Sequence, residues 1–180
     1  MRAHVIENGK IVNTIVVDSL DIIPNLVEAT SGGIGDLWDG EKAVKPPKWG
    51  SVEEAKADVG RQIDALRIDK TFTDVNVTFP SGEKKDIQFR NEFDLSNLLS
   101  VAMAGLALIV SGKANDPLVY RTKDNATQVL KAVEMVGIGM TVMAEKQAIV
   151  SAAWAHKDAI KSLSTLEEIE AYDIITGWPK

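Results

Sequence analysis

Hydrophobic and polar positions change period several times along the chain, and each change marks an element. Residues 94–113, DLSNLLSVAMAGLALIVSGK, carry no charge between Leu95 and Val110. Leu98, Leu99, Val101, Met103, Leu106, Leu108, Ile109 and Val110 cover the whole helical wheel rather than one stripe. A helix apolar all round is expected to be buried on every side, in a protein core or a membrane. At about 1.5 Å per residue the uncharged run spans roughly 24 Å, short of the ~30 Å hydrocarbon layer. The expectation is the most buried helix of a soluble domain, with Leu99, Met103, Leu106 and Val110 in its core.

Other elements follow from shorter patterns. Val5-Ile6 and Ile11–Val17 flank Glu7-Asn8-Gly9-Lys10, and Asn-Gly between β-branched runs predicts a hairpin, because a type I′ turn needs positive φ at both central positions. Leu37–Val44 predicts a second small hairpin turning at Asp39-Gly40. Lys45-Pro46-Pro47-Lys48 cannot enter a helix and marks a boundary between residues 1–48, a β-rich docking module with its linker, and residues 49–180, a helical α+β domain. There, Ser51-Val52-Glu53-Glu54 is a capping box, and Val52, Ala55, Val59, Ile63 and Leu66 recur at helical spacing. Val75–Phe79 and Ile87–Phe89 alternate, predicting an antiparallel hairpin around Pro80–Glu83. Leu118–Arg121 is expected to add a strand to it, and Asp94 to cap the apolar helix. Asp124 or Asn125 is expected to cap a long helix through Lys157, carrying Val129, Val133, Val136, Met140 and Met143. Ser164-Thr165-Leu166-Glu167 is a second capping box, opening a last helix to about Tyr172. The fold class is α+β: a β-rich module, then a helical domain whose hairpin packs on the apolar helix.

Composition narrows the chemistry. The 180 residues are 45% hydrophobic and 26% charged, with a net charge of −6, which disfavours nucleic acid and anionic lipid as partners. There is no cysteine and there are two histidines, so thiol chemistry is excluded and a histidine-rich metal site is not expected. Glu53-Glu54 and Glu167-Glu168-Glu170 lie in first helical turns, where carboxylates offset the macrodipole. Thr30–Asp36 is glycine-rich but lacks the spacing of a phosphate-binding loop. His156 has no second ligand one turn away. No catalytic residue, cofactor or metal is expected, and the reading is not an enzyme. The candidate partner-binding residues are Val5, Ile6, Ile11, Val12, Ile15, Val17, Trp38 and Trp49: β-branched strand faces and indoles near loops that a partner would cover.

Two stretches resemble known families. VIENGKIVNTIVV…IGDLWDGEKAVKPP resembles the N-terminal module of tailed-bacteriophage tail-fibre and fibre-assembly proteins. Those carry an E-x-G-x-V-x-N hairpin and then a G-x-x-Y/W-D-G-x-x-F-x-P-P segment. Glu7, Gly9 and Asn13 match the first, with Ile11 in the valine place; Gly35, Trp38, Asp39, Gly40, Pro46 and Pro47 match the second. Ala43 departs from the usual aromatic, and one extra residue precedes the prolines. The remainder resembles a domain of unknown function in phage tail and baseplate proteins, through Arg61 and Ile63, Tyr120-x-Thr122-x-Asp124-Asn125, and Gly177-Trp178-Pro179. The resemblance implies a structural subunit of the tail, at the baseplate or fibre attachment, made in the host cytoplasm and assembled into the virion tail. It implies other tail proteins as partners and a homo-oligomer within the tail, without nucleic acid or membrane. The alternative it implies is a fibre-assembly chaperone absent from the finished particle.

Overall fold

The computed structural model describes residues 1–179, which divide into two compact units, Met1–Gly50 and a second beginning at Ser51. The first is a single antiparallel sheet. Strands β1 (Arg2–Glu7) and β2 (Lys10–Val16) form the Asn8-Gly9 hairpin, with φ of 50° and 73° at those two residues. A 3-10 turn at Leu20–Ile22 leads to β3 (Leu26–Glu28), which pairs with β1. The two-residue strands β4 (Leu37–Trp38) and β5 (Ala43–Val44) turn at Asp39-Gly40, giving the order β3-β1-β2-β4-β5. Asp39 holds that turn by accepting from the amides of Glu41 and Lys42. Its carboxyl is accordingly held below the usual range, with the Lys42 amide the largest cause.

The second unit is built on a long helix. Helix α1 (Val52–Thr71) starts at Ser51, whose hydroxyl accepts from the Glu54 amide at 3.1 Å. The hairpin β6 (Val75–Thr78) and β7 (Lys84–Ile87) follows, then helix α2 (Glu92–Val110). Strands β8 (Pro117–Arg121) and β9 (Thr127–Lys131) form a hairpin, and α3 (Ala132–Ser162) and α4 (Leu166–Ala171) complete the unit. The core holds Val75, Val77, Phe79, Ile87 and Phe89 from the first hairpin, with Leu98, Tyr120, Leu130, Met135, Ile138 and Val142. Strand alternation accounts for the hairpin's share: period two puts Val75, Val77 and Phe79 on one face. The architecture is α+β.

Four expectations change. The helix with a buried face along its length is α3, where ten residues spaced from Ala132 to Ile160 are buried, whereas α2 buries only Leu98 and Gly105. Helix α3 begins at Ala132, not at Asp124: Thr127–Lys131 is a strand that pairs with Pro117–Arg121. Consequently β8 joins its own two-stranded sheet and adds nothing to β6-β7. The cap of α2 is Asn91, which accepts from the Phe93 and Asp94 amides, while Asp94 pairs with Arg90.

Candidate interaction surfaces

On the first unit, the residues singled out from sequence divide in two. Ile11, Val17 and Trp49 are buried, and the Lys48 ammonium lies 4.3 Å over the Trp49 ring. These three are occupied in packing. Val5, Ile6, Ile15 and Trp38 are half-buried and Val12 is exposed. Sequence reasoning missed Val16, which is 80% exposed. Its alternation with Ile15 and Val17 was the available signal.

The sheet is open along the second half of β2, whereas β1, with Val5 and Ile6, is paired on both sides. β4 meets β2 only at the Lys10–Leu37 pair, so residues 12–16 of β2 carry no strand on that side. The glycine-rich loop is fastened instead to the start of β2: Ile11 donates to the Asp36 carbonyl and Gly35 donates to the Ile11 carbonyl, both at 2.8 Å. His4 is buried and satisfied, one ring nitrogen 2.8 Å from Thr14 Oγ1 and the other 2.9 Å from the Ser31 carbonyl. The loop's own amides help fold it: Gly33 donates to the Asp36 carboxylate and Asp36 donates to the Gly33 carbonyl.

On the second unit the polar groups are largely committed to one another. A groove lined by Arg90, Asp94, Asn97, Tyr120, Arg121 and Asn125 contains a two-pronged Arg90–Asp94 pair with both contacts at 2.9 Å. The guanidinium and the Arg90 amide hold the Asp94 carboxyl down to about 2. The Tyr120–Asn125 segment turns the β8–β9 hairpin: Thr122 Oγ1 donates to Asp124 at 2.6 Å and Asn125 adopts a φ of 62°. Lys85 and Lys123 pair with Asp124 and Asp74 across neighbouring hairpins. Lys146 is buried, donating to the Thr73 carbonyl at 2.6 Å above the Phe89 ring, and burial lowers its pKa. His156 contacts Tyr172 Oη at 2.9 Å and stacks on Trp178 at 5.2 Å, docking the C-terminal segment. Among the described residues no group of three or more His, Cys, Asp or Glu is placed to hold a metal ion.

The largest departure from the sequence expectation is α2. Met103 is 62%, Leu106 43% and Val110 81% exposed; Leu99 alone of the four expected core residues is half-buried. The inward side of the helix packs closely: a Cβ on Gly105 would meet the Ala132 carbonyl at 2.9 Å, and one on Gly139 would meet Ala102 Cβ at 2.7 Å. The outward side meets α3 along an apolar groove lined by Leu99, Met103, Leu106, Val136, Met140 and Met143. The apolar wheel predicted burial on every side, but the neighbours within this chain cover only one side of it.

A family profile, described as a domain of unknown function (DUF4376), matches residues 54–176. The chain belongs to the DUF4376 family. The match spans α1 to the C-terminal segment, including both faces of α2 and the Tyr120–Asn125 turn. No curated protein and no solved structure matches the chain.

Proposed function

We propose that this DUF4376 protein is a structural subunit of a bacteriophage tail, at the baseplate or fibre attachment, and that it works by binding other tail proteins. The observation that carries the reading is the open edge of β2 over residues 12–16, flanked by the exposed Val12 and Val16. An extended segment of a neighbour would pair with those backbone groups and cover the two valines, as in strand addition. The resemblance of residues 1–48 to the N-terminal module of tail-fibre proteins supports a tail as the assembly.

The test is quantitative mass spectrometry of purified particles carrying the intact chain or one lacking residues 1–48. Stoichiometric presence of the intact chain, with loss of the truncated one, is expected. Abundance in the infected cell with absence from particles would assign the chain to fibre assembly instead. Normal incorporation of the truncated chain would move the docking surface off the sheet.

A further inference from the structure

We propose that the outward face of α2 and α3 binds a second copy of this chain, forming a helical interface between two protomers. The inference does not depend on assignment to a phage tail. Along α3, Val133, Val136, Met140, Met143, Val150 and Trp154 recur at alternating steps of three and four, with Gln147 filling the one gap. That spacing keeps one seam pointed at a partner helix over several turns. It lies on the side of α3 away from Met135, Ile138, Val142, Ile149 and Ala153, which pack inward. On α2, Leu99, Met103, Leu106 and Val110 repeat the pattern at steps of four, three and four. Since Gly105 lies against Ala132 and Val136 while Gly139 lies against Ala102, the two helices run antiparallel and their seams form one surface.

Charge and area favour a second copy. Each chain carries a net −6, so identical copies approach best through a patch without charge, where no like charges are set opposite. No charged residue lies within Met135–Ala144 or Gln147–Ala155, or between Leu95 and Val110. Of the two charged residues in the gap on α3, Lys146 turns inward to Thr73, and Glu145 stands two residues from Met143, off its face. Val110, Met140, Met103, Trp154, Val133 and Leu106, all exposed in the protomer, set large apolar side chains along both seams, the kind of area a standard interface draws on at ~800 Å² per partner, against the ~300–600 Å² of a typical monomer's largest patch. A two-fold arrangement brings the same patch from each copy together.

A bilayer fits less well. By length and composition α2 would pass as a membrane span, at 19 residues with mean hydropathy 1.8. Yet its Gly105 side is pressed on the Ala132 carbonyl, so lipid would reach all round it only if α3 and the β8–β9 hairpin came away.

The test is sedimentation equilibrium of the full chain over a wide concentration range. The expected result is a mass above one copy at high concentration. Met103→Glu with Met140→Glu should weaken association by roughly a hundredfold or more, because a buried interface would then hold unpaired charge. Both positions are exposed in the protomer, so the circular-dichroism spectrum and the melt of dilute protein should be retained. Should that double variant misfold, Val110→Glu tests the same face. Val16→Glu, on the sheet unit, should leave association intact. A wild-type chain monomeric throughout overturns the proposal, whether or not it floats with phosphatidylcholine vesicles; flotation would assign the face to lipid. Association abolished by Val16→Glu but not by the α2/α3 changes overturns it as well.

Discussion

Truncating two leucines on α2 separates its two sides. Leu98 is fully buried in the main cluster beside Met135 and Val142, so Leu98→Ala loses the whole transfer energy and leaves a cavity. Such changes cost about 2–5 kcal/mol, and about 3 kcal/mol is expected here. Leu106 keeps 43% of its surface exposed. It forfeits little more than half of the ~1.5–3 kcal/mol that complete burial of an aliphatic side chain is worth. With solvent able to fill the gap there is no cavity term, and Leu106→Ala should cost about 1 kcal/mol. Urea unfolding of dilute protein measures both as shifts in midpoint at constant slope. Repeating it on concentrated protein should enlarge the Leu106→Ala cost alone, because association adds to the stability of the folded state. Equal losses for the two variants in dilute protein would refute the division of α2 into a packed and an open side.

The glycines of the α2–α3 crossing give a second prediction. Gly105→Ala should destabilise by about 1–2 kcal/mol, since forcing a methyl into packed backbone outweighs the ~1 kcal/mol gain in helix propensity. Gly137→Ala, with nothing near its Cβ, should stabilise by roughly 0.5–1 kcal/mol in the same thermal melts. Residues 51–180 alone should unfold cooperatively in calorimetry; a broad transition without a heat-absorption peak would place unit one in their folding. Asp94 gives a pH prediction. Its folded pKa of about 2 lies below its ordinary 3.8, so its contribution is complete above the unfolded value and is lost as pH falls through the folded one. Arg90→Ala should raise the Asp94 carboxyl titration seen by NMR and change stability at neutral pH only slightly, the Arg90 side being solvent-screened.

Local chemistry was the legible part of the sequence. Asn8-Gly9, the Ser51 cap and the alternation from Val75 to Phe79 each have one physical reading, and the structure uses it; the last helix is capped at Thr165, paired with Glu168, one residue later than the Ser164–Glu167 pattern indicated. Asp124-Asn125 was ambiguous because the same side chains cap helices and close turns, and here they close the β8–β9 hairpin. Val129 misled further: it continues a helical series with Val133 and Val136, yet its exposed side chain stands across the β ladder from Val119. For α2, the wheel showed that the helix asks for cover on all sides. How many neighbours the chain itself supplies depends on tertiary arrangement, which no local pattern carries. Unpaired hairpin edges were expected from the sequence, but the extent of the open β2 edge was illegible, since the sequence does not say how far β4 extends along its neighbour.

A single spin label on α2 tests most directly whether the exposed apolar helix is a contact surface. The chain has no cysteine, so Met103→Cys places one label per protomer at the middle of the exposed stripe. Double electron–electron resonance on the labelled full-length protein is predicted to give a resolved inter-label distance matching two helices packed in one bundle. A signal at Val16→Cys but only a background decay at Met103→Cys, in protein shown to be self-associated, would contradict it.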